Sequence, residues 1–313
     1  MGTFRAVPES PSKPTPPAPV IAISSNKGGV GKTTLATNLA IYLRALREEL
    51  PVLVVGLDDQ HTLDRMFALR PARPADANLK HGWAARNLEH VIELGEYGVH
   101  FVPSPPNVTL LKARAEDPQT LRSILVRTGW SGVVILDTKS DLEALTINAL
   151  HAADRILIPV ADWASLEEAG KTFRVLERAR LGFDRARVVL TLVDRRTRID
   201  SEGTILQTRL RDEICRRHWP VYTTHLSRSP RVETLNSATR KPRSILHHAV
   251  GTLIHREMRE LTEEILDDLN LNGEAHGNDE PEVLWGPRLD GAGMRKVHPI
   301  RTESVRMRDG ERR

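Results

Sequence analysis

The chain carries one cysteine, Cys215, in 313 residues. A single thiol excludes an intrachain disulfide and any metal site built on several cysteines. Aromatic residues are scarce, at 4%, so Leu, Ile, Val and Ala must fill the core. No apolar run is long enough to span a membrane. The first residues contain no apolar stretch of the kind that directs secretion, and a cytoplasmic location is the expectation. Neither sign of charge dominates: 45 Lys and Arg stand against 41 Asp and Glu, for a net charge of +4. That balance suits an anionic partner or a merely solvated basic surface. Cys215 ends the stretch Leu210-Arg211-Asp212-Glu213-Ile214-Cys215, where a free cysteine is expected on a buried helix face.

Three regions follow from composition. Residues 1–19 hold Pro8, Pro11, Pro14, Pro16, Pro17 and Pro19, an extended and disordered leader that is either passive or a docking segment. Residues 20–269 alternate apolar strand-like runs with helical periodicity. This predicts an α/β domain, doubly wound, with a mostly parallel sheet and helices on both faces. In residues 270–313 Gly, Asp, Glu and Pro dominate, then Arg, and this composition predicts a disordered tail. Its arginine-rich end, 301–313, adds nucleic-acid affinity or only solubility.

The most informative stretch is Lys27-Gly28-Gly29-Val30-Gly31-Lys32-Thr33-Thr34. It follows the apolar run Val20-Ile21-Ala22-Ile23 and precedes a helical pattern, Leu35 to Ile41, expected to continue to about residue 49. Strand, glycine loop and helix in that order form a phosphate-binding P-loop. Backbone N–H groups turn inward toward an anion, and the helix adds its positive dipole end at the same point. Lys32 reaches the β- and γ-phosphates, and the Thr33 hydroxyl ligates Mg²⁺. A second strong signal is Gly132-Val133-Val134-Ile135-Leu136-Asp137. It is a buried strand ending in a carboxylate that lands beside the P-loop and holds Mg²⁺ through water, with Thr33 as the other ligand.

Lys27 is not required by an ordinary P-loop. The form K-G-G-V-G-K-T-T is the deviant Walker A motif, and on it the chain resembles the ParA/MinD family of dimerising ATPases. The resemblance runs over roughly residues 20–268. It implies ATP and Mg²⁺ as cofactors, a homodimer in the ATP state, and a Lys27 that reaches the partner subunit's nucleotide. Val52 to Leu57 reads as a buried parallel strand with Asp58-Asp59-Gln60 at its ligand-binding end. Relatives carry Asp-x-Asp-Pro-Gln there. The resemblance gives Asp58 the part of positioning the attacking water, while Asp58 or Asp59 also suits a plain helix cap. Gly56 and Asp59 depart from that motif. After Asp137 relatives place a Pro-Pro pair, where this chain has Thr138-Lys139-Ser140-Asp141. Lys139 is either an added positive charge near the phosphates or across the dimer, or a solvated loop residue.

Further along, Thr191-Leu192-Val193-Asp194-Arg195-Arg196-Thr197 resembles the T-M-x-D-x-R-T of partition ATPases. Asp194 then contacts the ATP base or caps its own loop. Arg228-Ser229-Pro230-Arg231 resembles the family's DNA-touching Pro-Arg region. With Arg195, Arg196, Arg198, Arg240, Lys241 and Arg243, these residues form one patch for non-specific DNA or a dispersed basic surface. Arg195, Arg198, Arg228 and Arg231 are the candidate DNA ligands. Aromatic interleaving is lacking, which argues against a single-strand stacking platform.

Within the family, the MinD type needs an amphipathic terminal membrane helix, which the broken tail does not offer. The nitrogenase iron-protein type needs two cluster cysteines, and tyrosine autokinases need terminal tyrosines, absent after Tyr222. What remains is a ParA-type partition or positioning ATPase on the nucleoid, with a ParB-like or adaptor partner stimulating slow hydrolysis. The other open reading is an ATP-binding scaffold with weakened catalysis, motivated by Gly56 and Lys139. Remaining element expectations are helices at 86–94, 120–128, 163–181, 201–217 and 244–269, and strands at 99–103 and near Val221.

Overall fold

The computed structural model describes residues 18–59, 61–70, 77–194, 196–197, 205–236 and 241–272, and the backbone of residues 284–289 and 295–300. The elements in chain order are β1 (Val20–Ile23), α1 (Lys32–Leu46), β2 (Val52–Leu57), α2 (Thr62–Phe67), α3 (Leu79–Ala85), β3 (Glu93–Leu94) and β4 (His100–Val102). They continue with α4 (Thr120–Thr128), β5 (Val133–Thr138), α5 (Ala144–Ala152), β6 (Arg155–Val160), α6 (Trp163–Arg178), β7 (Ala186–Leu190) and α7 (Leu206–Arg216). Last come α8 (Pro230–Leu235), α9 (Ile245–His248), α10 (Leu253–Asp268), β8 (Leu284–Leu289) and β9 (Arg295–Ile300).

Strands β3-β4-β2-β5-β1-β6-β7 form one sheet in that order. Every pairing is parallel except β3 with β4 at the edge. The central strands are apolar on both faces because helices cover both. Val20 and Ala22 turn to one core with Leu53, Val55, Val134 and Leu136, under α3 to α7. Ile21 and Ile23 turn to the other with Val52, Val54, Val133 and Ile135, under α1, α2, α9 and α10. The fold is therefore the doubly wound one that the alternation of runs predicts. Its parallel strands bring their C-terminal ends to a single edge, where ligands bind in such sheets.

Several local expectations are corrected. The helix at 86–94 is instead α3, which starts earlier because Asn78 caps it in a box with His81; it stops at Arg86, held in the left-handed region at φ 56°. The long helix at 244–269 is two. Gly251 adopts φ 78° and ends the first segment's turn, and the Thr252 side chain accepts from His255 N–H to begin α10. Val250, expected on the buried stripe, lies in that break and is 59% exposed. The helix expected at 201–217 is described from Leu206. On α7 Leu210, Glu213 and Ile214 face inward, so Cys215 is exposed, not buried. The strand expected near Val221 is an isolated bridge to Val188. Strands β8 and β9 pair antiparallel in a two-stranded sheet. Residues 1–17 and 301–313 lie outside the described residues.

Candidate functional site

The register of the central strands assembles the site. Asp137, next to last in β5, stands beside Ile23, the last residue of β1, and beside Gly56 of β2. The loop leaving β1 therefore passes directly over the Asp137 carboxylate. Gly29 and Gly31 in that loop hold φ of 79° and 88°, a region that a side chain disfavours, and nothing lies within 4 Å of where their Cβ atoms would be. Val30 is buried, and its carbonyl accepts from Thr191 Oγ1 at 2.9 Å, which fixes the loop to the end of β7.

Helix α1 opens with no side-chain cap and no acidic residue in its first turn. Helices α3, α6 and α10 are capped by a side chain, whereas α2, α4, α5, α7 and α8 are, like α1, uncapped; α1 differs in following the glycine loop. The first-turn amides of α1 are thus left facing the glycine loop, with the helix dipole behind them, an arrangement that an anion completes. The helix itself is held from below: Asn38 bonds the Thr34 carbonyl and accepts from Ile245 N–H at 2.8 Å.

Lys32 is buried, and its ammonium donates to Ser140 Oγ at 2.5 Å and to the Lys27 carbonyl at 3.3 Å. Burial pulls its pKa below the ordinary lysine range, against Asp137, Asp58 and Asp141, whose charges favour the cation. Asp137 is fully buried. Burial pushes its carboxyl up to about 7, Thr33 hydrogen-bonds it, and the nearby Asp58 charge adds to the rise. Its Oδ1 has no hydrogen-bond partner. A buried carboxylate oxygen without a partner is costly unless a cation completes it. Among the described residues no cluster of His, Cys, Asp or Glu could hold a metal alone. The donor set suits Mg²⁺, which keeps several waters and takes one carboxylate, one hydroxyl and phosphate oxygens. Thr33 and Asp137 are the protein ligands this geometry offers.

Lys27 is turned away from its own cradle. Its Nζ lies 2.6 and 2.9 Å from the two carboxylate oxygens of Asp162, the N-cap of α6. Partial burial pushes the Asp162 carboxyl up, and hydrogen bonds from Lys27 and Ser165 outweigh it, so its pKa falls below the usual aspartate value. Asn26 bonds Glu168 on the same helix. Trp163, next to Asp162, is 45% exposed. Asp162 was not singled out in the sequence, although Asp162-Trp163-Ala164-Ser165 has the spacing of a helix cap. Ser140 belongs to the departing stretch Thr138-Lys139-Ser140-Asp141, but the sequence assigns it no role.

Asp58 lies close enough to Lys32 and Asp137 for its charge to act on both. Gly56 has a packing reason: a Cβ there would come 2.7 Å from Leu63 Cδ1 of α2, so Leu63 fills the space a side chain would need. Asp59 does not cap a helix that follows it. It accepts from Val108 N–H at 2.8 Å, from Thr109 Oγ1 at 3.0 Å and from Lys139 Nζ at 3.3 Å. Lys139 is thus ion-paired with Asp59 while its side chain stays 40% exposed. Gln60 lies outside the described residues.

On the other side of the loop, Asp194, Arg196, Ser227, Arg228, Pro230 and Glu233 line an open pocket of about 460 Å³. Asn236, which follows α8, donates to Thr34 Oγ1. Hydrogen bonds from the Arg196 side chain and N–H hold the Asp194 carboxyl down to about 2. Arg228 pairs with Glu233, and Arg231 Nε donates to the His248 carbonyl at 3.0 Å. Glu257 of α10, buried, accepts from Ser227 N–H and Oγ and so fixes the segment that presents Arg228. Lys241 is anchored elsewhere, on Glu96 and the Ala68 carbonyl. Arg195, Arg198 and Arg240 lie outside the described residues.

A glycine cradle, an uncapped helix and a buried aspartate at one sheet edge define a P-loop nucleotide-binding protein. A family model described as an AAA domain matches residues 18–172. The chromosome-partitioning ATPase Soj of Thermus thermophilus is 32% identical over 253 residues, covering 79% of this chain and 94% of that protein. The chain belongs to the ParA/MinD family of P-loop ATPases. Among solved structures, an ATP complex of Cyanothece McdA superposes with a TM-score of 0.67 at 15% identity, covering 83% of this chain and 99% of that one. Cobyrinic acid a,c-diamide synthase of Mycobacterium smegmatis, with a bound ATP analogue and magnesium, gives 0.62 at 19% identity, covering 81% and 96%. The last two share the fold, which hosts more than one activity. Among the described residues no helix is long and apolar enough to cross a membrane.

Proposed function

We propose that the protein is a ParA-type partition or positioning ATPase that dimerises on ATP, binds DNA without sequence preference, and hydrolyses ATP slowly until a ParB-like or adaptor partner stimulates it. Lys27 carries this reading. Its ammonium pairs with Asp162 and its side chain is 32% exposed, so on giving up that pair it can reach a nucleotide held by a second copy. The partition role is borrowed from the Soj relative.

In this reading the Gly28–Gly31 amides and Lys32 bind the phosphates, and the pocket beside Asp194 receives the base. Lys32 gives up Ser140 and turns to the β- and γ-oxygens. Thr33 and Asp137 would hold Mg²⁺, which would supply positive charge against the phosphate oxygens. Asp58 orients the attacking water, and Lys27 of the partner subunit adds a cation at the same centre. Positioned charges do nearly all the work in such a transfer. Arg228 and Arg231 contact DNA phosphates, with a nucleoid location as the consequence.

Lys32→Ala should abolish ATP binding. Lys27→Ala should keep ATP binding within a few-fold yet lose the ATP-dependent dimer in light scattering, and lose turnover. A Lys27→Ala protein that dimerises and turns over like the wild type would overturn the reading. One observation favours a second possibility: Leu63 occupies the place of the carboxylate that relatives carry at Gly56. ATP would then act as a conformational ligand on a scaffold. Phosphate release, measured with and without DNA and partner, separates the two.

A further inference from the structure

The two loops that depart from the family motif meet. Asp59, after β2, and Lys139, after β5, form an ion pair at 3.3 Å, with side-chain exposures of 34% and 40%. The same carboxylate accepts from Val108 N–H and Thr109 Oγ1, at the start of the 3-10 turn Val108–Arg114. Burial pushes the Asp59 carboxyl up, and these three donors outweigh it and leave it below the usual range, so it is ionised at neutral pH. Each loop holds a neighbour in the site: Asp58 precedes Asp59, and Ser140 follows Lys139 and accepts from Lys32.

We propose that Asp59 and Lys139 are positioning residues, whose ion pair ties the loops flanking the P-loop to each other and, through Val108 and Thr109, to the turn outside them. The hydrogen-bond partners of Asp59 are Val108, Thr109 and Lys139, none of them in the P-loop, so the tie acts through the neighbours Asp58 and Ser140. Its part in hydrolysis rests on the function proposed above, whereas the tie itself does not.

The test uses the full chain with Lys139→Met, Asp59→Asn, the double variant, and Lys139→Arg as the charge-keeping control. Hydrogen exchange by mass spectrometry comes first. Breaking the pair should speed amide exchange about two- to fivefold in both loops at once, and at Val108–Thr109, for either single variant. Lys139→Arg should exchange like the wild type. In turnover, each single variant should lower kcat about three- to tenfold with ATP affinity changed less than about twofold. The double variant should be no worse than the poorer single, because both remove one interaction. Exchange that changes only in the mutated loop overturns the proposal, as do multiplicative effects in the double variant. If the wild type binds ATP and these variants match it in exchange and kcat, the tie fails and the function stands. If the wild type binds no ATP, the function fails and exchange still decides the tie.

Discussion

At Gly56 the nearest obstacle to a side chain is Leu63, buried on α2. Gly56→Ala should cost about 1–3 kcal/mol, because Leu63 must leave its place in a packed core. A lower denaturant midpoint reads this out, and Leu63→Ala in the same chain should cost less than its effect alone, since each change makes room for the other. Asp137 gives a pH signature. In metal-free protein its carboxyl titrates at about 7 rather than 3.8 because burial favours the neutral form. A carboxyl with a raised folded pKa binds its proton more tightly when folded, so stability falls as pH rises through that window. The group contributes without cost below about 3.8 and bears its full penalty above about 7, on the order of several kcal/mol at about 1.4 per unit. Asp137→Asn should therefore gain stability relative to wild type as pH rises across the window, in denaturant titrations free of divalent cations. Parallel profiles would show that no such carboxyl is present. Cys215 supplies a simpler check: as an exposed thiol it should label with a maleimide in the native protein.

At the scale of elements, α10 is stitched to the sheet by carboxylates. Asp268 accepts from Tyr222 OH at 2.7 Å and pairs with Arg155 and Arg187 at 2.7 and 2.9 Å, all three side chains of the ion pairs being less than a quarter exposed. Asp268→Ala leaves two largely buried arginines without their anion and should cost about 3–5 kcal/mol. Arg155 begins β6 and Arg187 lies near the start of β7, so this hub is at the edge opposite the P-loop. ATP affinity below the melting transition should be unchanged, which calorimetry on the variant tests. The contrast between the edges explains what the sequence made legible. Lys27 to Thr34 and Val133 to Asp137 are contiguous, and their strand-loop-helix context is written in the same few residues. Asp162 shows in the sequence only as a helix cap, and nothing in the sequence says that Lys27 would reach it or that Ser140 and Leu63 would face Lys32 and Gly56. Lys139 and Asp59 were visible as departures, but their pairing depends on how β2 and β5 are laid side by side. The break at Gly251 was missed because the apolar period continues across it, and one glycine in the left-handed region outweighs that period. Cys215 lies outward because Glu213, paired with Arg216 and Arg217, takes the buried position.

For the whole molecule, the proposed DNA binding turns on which basic residues act together. Charge alone would group Arg196, Arg228, Arg231, Lys241 and Arg243. The structure divides them: Arg196 and Arg228 share one pocket wall, while Lys241 is committed to Glu96. A phosphate contact contributes a released counterion, so its removal lowers affinity on every sequence and flattens the salt dependence. Arg231→Ala, and separately Arg228→Ala, should weaken ATP-dependent DNA binding and reduce the log–log salt slope by about one. Lys241→Ala should leave both unchanged while loosening its anchor on Glu96. The measurement is fluorescence anisotropy on two unrelated duplexes over a salt series, with ATP present. Because Arg228 also holds Glu233, its loss frees a carboxylate beside the same surface, and Arg228→Ala should weaken binding more than Arg231→Ala. Equal effects from Lys241 and Arg228 would mean that the surface binds as a diffuse positive field, and that its arginines are not organised by the segment that Glu257 holds in place.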